Sequence, residues 1–369
     1  MIKRVLILGG YGTFGGFIAK TLARDHNIRL ILAGRSLGKA QDFSRQLDDA
    51  AHKPECIAID ITQNFPDALA QVNPDIVIHT SGPFQSQDYD VARACINHGC
   101  HYIDLADARE FVANITSLHA DAVNKQVTVI SGASSVPCLT SALVDHYYPQ
   151  FARLDTLDYA ITTAQKTTRG LATTAAVLGY TGRPFQTLVN GAMKTIYGWQ
   201  GLRARRYKNL GWRLLGYCDI PDLSLFPRRY SALKTIRFYA GIEIKLIHMG
   251  LWGLSWLVRA GLIKNLQNAA PFLLKTSFLF DRLGSNNSAF HMTLSGTGHD
   301  DTPKTITFEL TARNGDGPYI PCMPAILLTR KLAAGELQNH GVHPCMGFIT
   351  RDEYLNALGK LDIDWQEYK

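Results

Sequence analysis

The chain has 369 residues, 46% of them hydrophobic and 19% charged. At roughly 150 residues per domain this predicts two domains, or three at most, and excludes disordered and collagen-like classes. The formal net charge of +7 admits a nucleic acid, a membrane surface or an anionic ligand. The densest basic stretches, RARRYK (203–208) and PRRY (227–230), lack aromatic-plus-basic recognition spacing. No nucleic-acid partner is therefore expected, and a phosphate-rich cofactor or an acidic substrate is the more economical reading.

Seven cysteines, scattered and without C-x-x-C, read as reduced thiols in a reducing compartment. The apolar run of MIKRVLIL stops at Gly9, short of the roughly 7–15 residues of a signal-peptide core. The expected location is the cytoplasm, with attachment to a membrane surface left open by a later segment.

Strand-like runs fall at 4–8, 29–33, 56–60, 75–80, 102–106 and 127–131, with helix-like segments at 14–25, 38–50, 65–72, 89–99 and 110–126. Apolar strands separated by helices of this length predict parallel βαβ units covered on both faces. Residues 1–132 thus read as a doubly wound, Rossmann-type domain. Beyond about residue 133, runs at 157–164, 234–244, 289–297 and 304–313 are longer and Thr-rich. They predict an α+β substrate domain over 133–315 with an open mixed or antiparallel sheet. Helices are expected at 171–180 and 323–337, and an apolar helical stretch over 246–283. Within it, residues 246–263 are read as a buried helix or pocket wall, with a patch resting on a bilayer as the sharper alternative.

Gly10-x-Gly12-x-x-Gly15, enclosing Thr13 and Phe14, follows the first strand and opens a helix. This context makes it a dinucleotide cradle, with the pyrophosphate facing the helix N-terminus. The second strand ends LAGRS (32–36), with no carboxylate to hold NAD ribose hydroxyls. Arg35 and Ser36 instead suit a 2′-phosphate, so the cofactor expected is NADP(H). Further strand ends supply Asp60, the turn Ser81-Gly82-Pro83 with Phe84 after it, and Asp104 and Asp107 as proton-moving or substrate-orienting carboxylates, or as helix caps. No metal site is expected: there is no H-E-x-x-H, and His98, Cys100 and His101 lack a distant ligand pair. The alternative spacing Gly9, Gly12, Gly15 together with YSALK (230–234) is that of an extended short-chain dehydrogenase. Here the Tyr-x-x-x-Lys comes about 80 residues late, and it is read as coincidence.

Several segments taken together resemble the saccharopine dehydrogenase (NADP-binding) superfamily: VLILGGYGTFGG, LAGRS, DIVIHTSGPFQ with ACINHGCHYIDLAD, SGASSVPCLTSALVDHY, and the closing GDGPYIPCMPAILLTRKLAAGEL and GVHPCMGFITRDEYL. The resemblance implies a Rossmann domain, a substrate domain with an open mixed sheet, and a C-terminal helical segment (316–369) returning to the first domain. It implies hydride transfer to a small-molecule substrate, imine or amino-acid-derived or lipid-like, held in the cleft between domains. The block around 203–230 and the apolar 246–263 segment depart from an amino-acid-specific pocket. Asp104, Asp107, Lys166 and Arg169 are the candidate catalytic residues, the last two for an acidic substrate group. A homodimer is among the expected partners. The competing readings are a non-catalytic, membrane-associated NADP(H) sensor and the short-chain dehydrogenase.

Overall fold

The structure, a computed structural model, describes residues 2–368. It forms two compact units: one runs up to Ala142 and takes in Tyr319–Ala357, and the other comprises Leu143–Pro318 and the chain from Leu358 onward.

In the first unit, β1 (Lys3–Leu8), β2 (Ile28–Gly34), β3 (Glu55–Ala58), β4 (Ile76–His79), β5 (His101–Asp104) and β6 (Thr128–Ser131) pair in parallel in the order β6-β5-β4-β1-β2-β3. Val5 to Leu8, Leu30 to Ala33 and Ile76 to Ile78 are buried, as expected of strands covered on both faces. Gly341–Pro344 adds a seventh parallel strand beside β6. The preceding helix, Met323–Ala334, is tied to this unit by Arg330, which grips Asp25 at 2.7 and 3.1 Å. Two expected boundaries shift. The fifth strand stops at Asp104, because that carboxylate accepts the Ala106 N–H at 3.0 Å and turns the chain. The helix expected over 110–126 is broken by a 3₁₀ turn at Ile115–Leu118, where β-branched Ile115 and Thr116 disfavour a continuous helix.

The second unit carries β7 (Arg153–Thr163), the hairpin β8 (Pro184–Val189) and β9 (Ala192–Tyr197), then β10 (Arg203–Tyr207), β11 (Gly211–Tyr217), β12 (Thr235–Ile242), β13 (Ser288–Thr297) and β14 (Pro303–Ala312). The large sheet runs β10-β11-β12-β7-β13-β14 and ends on the strand Ile363–Tyr368. Only β7 and β12 run parallel in it; its other pairs are antiparallel. Period-2 alternation sends Leu157, Tyr159, Phe238, Met292, Leu294 and Phe308 to one apolar face. The opposite face carries Asp158, His291 and Glu309, as the register requires.

The β10 edge folds across that polar face. Arg203 meets Asp158 at 2.7 Å, the Tyr207 hydroxyl meets His291 Nδ1 at 2.9 Å, and the Lys208 N–H donates to Glu309 at 3.0 Å. The charge of Arg203, and at 3.9 Å that of Arg205 against Glu309, is thus matched internally. YSALK makes no dyad. The Tyr230 hydroxyl donates to Asp145 at 2.7 Å and Lys234 pairs with Asp155 at 3.1 Å. Burial, then the Asp145 charge, push the Tyr230 hydroxyl above its ordinary value, opposite to what a catalytic tyrosine base needs.

Helices Leu171–Tyr180, Lys245–Arg259 and Ala270–Ser277 pack over a core of Leu178, Trp199, Leu251, Val258 and Leu266. The 246–263 segment is therefore not wholly buried. Its helix buries His248, Leu251, Ser255 and Val258 and leaves Leu246, Met249, Trp256 and Leu257 exposed. Among the described residues no helix is long and apolar enough to cross a membrane.

Buried histidines set the acid response. Burial holds His79, His248 and His291 down to about 4, so on acidification the unfolded chain takes up protons first, near 6.5. Asp104, which burial pushes up to about 6, acts in the opposite sense between about 4 and 6, but it is one group against three. The urea midpoint is expected to fall as pH drops from about 6.5 to about 4, and an unchanged or rising midpoint would contradict the assignment. A second expectation concerns Asp222, fully buried, which accepts the Tyr159 hydroxyl at 2.9 Å. Tyr159→Phe should destabilise the fold by about 1–3 kcal/mol in chemical denaturation.

Candidate functional site

The site lies along the carboxyl edge of the first unit's parallel sheet, where ligands of open α/β sheets bind. After β1 the chain turns through Gly9, whose φ of +80° lies in the left-handed region. The turn glycine is therefore Gly9, just outside the Gly10-Gly12-Gly15 triplet. The N–H groups of Gly9 and Gly10 both donate to Ala33 O, at 2.9 and 3.1 Å, fixing the loop on β2. The helix Thr13–Leu22 then starts from Gly12, with no capping side chain and no acidic residue in its first turn. Its leading N–H groups, at Thr13, Phe14 and Gly15, precede any intrahelical acceptor.

Gly15 sets the depth of this cradle. A Cβ there would sit 2.2 Å from Gly9 O and 2.9 Å from Thr80 Oγ1. Gly10 is similarly hemmed by Ile7 O at 3.0 Å and Leu32 at 3.2 Å, whereas Gly12 faces outward, close only to Gly9 O. Thr80 binds Leu8 O through both its N–H (3.0 Å) and its hydroxyl (2.8 Å), so β4 is locked against the same turn. A helix start with no side-chain cap and no acidic residue, its N–H groups left without intrahelical acceptors, suits a pyrophosphate. The residues present fit a dinucleotide.

The end of β2 holds the residues expected on the adenosine side. Arg35 is exposed and enters no ion pair among the described residues. Ser36 is half-buried, and its hydroxyl caps the next helix by accepting the Lys39 N–H at 3.4 Å. Asp60 accepts the Thr62 N–H (3.0 Å) and hydroxyl (2.8 Å). Those two bonds, with a smaller contribution from the Arg35 charge, lower its pKa. Sequence reasoning missed Tyr11. Its hydroxyl accepts the Ser36 N–H at 3.0 Å, and its ring lies where a Cβ on Gly34 would be. The signal was an aromatic inside the glycine run.

Ser81, Gly82 and Pro83 form the loop after β4, with their edge open to solvent. The Gln87 amide braces the loop, donating to Ser81 O at 2.7 Å and Pro83 O at 3.2 Å. Phe84 is buried against His79 and Phe111, with ring centroids 5.0 and 5.4 Å apart. It supports the loop from beneath.

The two strand-end aspartates stand in contrasting settings. Asp104 is fully buried; one oxygen accepts the Gly132 N–H (2.8 Å), the Ser131 hydroxyl (2.9 Å) and the Ala106 N–H. Burial raises its pKa to about 6 against those donors and Tyr102, and Tyr102 continues to His79 Nδ1 at 2.9 Å. Asp104 thereby staples β5 to the turn after β6. Asp107 is exposed. The Gln85 amide holds it, donating at 3.2 Å.

Lys166 and Arg169 belong to the second unit and converge on Asp281. Arg169 bonds Asp281 at 2.6 Å and Gln165 O, and stacks over Phe278 at 4.6 Å. Its guanidinium is committed to that loop. Lys166 is exposed, its backbone N–H donating to Ser285 O at 3.0 Å. A cavity of about 340 Å³ lined by Lys3, Asp75, His101 and His340 lies at the opposite, amino edge of the sheet, away from the glycine loop. Among the described residues, no three His, Cys, Asp or Glu side chains gather as a metal site would require.

Residues 5–130 match the family described as saccharopine dehydrogenase NADP binding domain. Over 137 residues the chain is 28% identical to a trans-acting enoyl reductase of Mycobacterium leprae (strain TN), covering 36% of this chain and a third (33%) of that protein's length. Its fold matches apo saccharopine dehydrogenase (L-Glu forming) from Saccharomyces cerevisiae with a TM-score of 0.69 at 14% identity, covering 100% of both chains. The glycine cradle and the matched model mark residues 5–130 as similar to a saccharopine dehydrogenase NADP-binding domain, and the chain as a whole shares the fold of saccharopine dehydrogenase.

Proposed function

We propose that this oxidoreductase passes hydride between NADP(H) and a small-molecule substrate with a polarised C=N or C=C bond, and that Asp107 handles the accompanying proton. When bound, the nicotinamide supplies or accepts the hydride. Asp107 is the observation that carries the reading: a solvent-open carboxyl just beyond the end of β5, with its orientation held by Gln85. An accessible carboxyl held in place can give or take a proton at a bound substrate. Asp104 cannot reach a substrate from its buried position and serves as a positioning residue beneath the same strand end. The name of the M. leprae relative denotes reduction of an enoyl group, which supports an unsaturated acceptor. Lys166, exposed in its loop, is the better placed of the two expected cations to meet an acidic substrate group.

Asp107→Asn should lower NADPH turnover by about 10²–10⁴-fold on the best substrate from an imine, keto and enoyl panel, with NADPH affinity unchanged. Unchanged turnover would remove Asp107 from the chemistry. NADPH binding with no consumption across the panel would instead support a sensor.

The cradle is tested separately by cofactor fluorescence. Gly15→Ala should abolish NADPH binding, since its Cβ would meet Gly9 O at 2.2 Å. Arg35→Ala should weaken NADPH by about ten- to a hundredfold, the loss of charged hydrogen bonds, while leaving NADH binding nearly unchanged. Equal losses for both cofactors would contradict the 2′-phosphate role.

A further inference from the structure

The second unit carries an apolar surface that the cofactor site does not use. The helix Lys245–Arg259 is apolar on two faces. One, with Leu251 and Val258, packs on the core. The other carries Leu246, Met249, Trp256 and Leu257 at helical spacing, and Leu246 is 69% exposed. The segment Ala270–Leu283 repeats the arrangement, with Phe272, Leu279 and Leu283 turned outward and Leu279 78% exposed. Between them, Leu262 at the helix end is 74% exposed. Both elements contribute to one core cluster and each turns its other side to solvent. Exposed large apolar side chains clustered in this way mark an interaction surface.

The charge around these stripes has one sign. From Lys245 to Phe280 there is no acidic residue. Lys245, Lys264, Lys275 and Arg282 are exposed and enter no ion pair among the described residues. Asp281, the first acid, is engaged by Arg169 and Gln165. Arg259 stacks over Tyr197 at 3.9 Å and bonds Gln200 at 2.8 Å, which fixes the end of the helix beside Trp256. Trp, Leu and Phe alternating with Lys and Arg form the pattern of a helix lying in a bilayer interface. A second copy docked on the same patch would bring lysines against lysines, whereas anionic headgroups match them.

We infer that the layer formed by residues 245–283 docks on an anionic lipid surface, its Leu, Phe and Trp side chains entering the interface and its cations meeting the headgroups. The inference stands apart from the assignment of the reaction. It is tested by flotation of the full chain with phosphatidylcholine vesicles, with and without phosphatidylglycerol, at low and high salt. The protein is expected to float with the anionic vesicles, to release as salt rises, and to shift its tryptophan emission to the blue. Lys264→Glu with Lys275→Glu should weaken binding by about fivefold or more per removed cation. Leu246→Ser with Trp256→Ser, and separately Leu279→Ser with Leu283→Ser, should each reduce it by about tenfold or more. NADPH binding, unchanged in all three variants, reports that they fold. Absence of a floating fraction at low salt overturns the inference, as does equal binding to neutral vesicles. A dimer in light scattering that the apolar variants dissociate, without vesicle binding, would assign the surface to a second copy instead.

Discussion

The close approach of the first helix to the turn after β1 is the constraint on which the rest of the cofactor site depends. Gly15 meets Gly9 O and Thr80 at distances that leave no room for a side chain. The helix start is thereby drawn down onto the sheet edge, and its leading N–H groups point outward from a surface stripped of side-chain bulk. Because Thr80 binds Leu8 O twice, the same contact fixes β4 against β1 and aims the Ser81–Phe84 loop. Phe84, packed on His79 and Phe111 beneath, gives that loop a floor. The cradle for phosphate and the wall beyond it are one packed assembly.

Two residues separate Asp104 from Asp107, and their environments divide the work. The first is sealed among backbone donors and Tyr102, where burial raises its pKa while the hydrogen bonds hold the strand ends together. The second is open to solvent and held by a single side-chain amide. Carboxyl groups acquire different roles when their surroundings push them apart. A fixed one serves the geometry and an accessible one can exchange protons.

In the second unit the positive charge falls into two classes. Arg203 and Arg205 on β10 lie against Asp158 and Glu309 across the polar sheet face, where they help specify how the sheet folds over itself. The cations of residues 245–283 have no such partners among the described residues. Net charge alone cannot distinguish the two classes, because an arginine matched by a buried carboxylate and a free lysine contribute equally to the sum. Only the free ones are available to an external surface.

Hydrophobic periodicity and glycine spacing were enough to place the six parallel strands, the phosphate-binding turn and the long strands β7, β12, β13 and β14, because these signals are local. The Asn190-Gly191 hairpin, with both residues at positive φ, was also legible and was passed over; Asn-Gly is a strong type I′ turn signal. What the sequence left open needed contacts between distant residues. Nothing local in YSALK shows that Tyr230 turns to Asp145, nothing in QKTTRG shows that Arg169 meets Asp281, and nothing in RARRYK shows that Arg203 pairs with Asp158. The difference between Asp104 and Asp107, and between the two faces of the Lys245–Arg259 helix, was likewise decided by packing. Burial and pairing belong to the folded chain, whereas period, turn chemistry and steric allowance are already written in the order of residues.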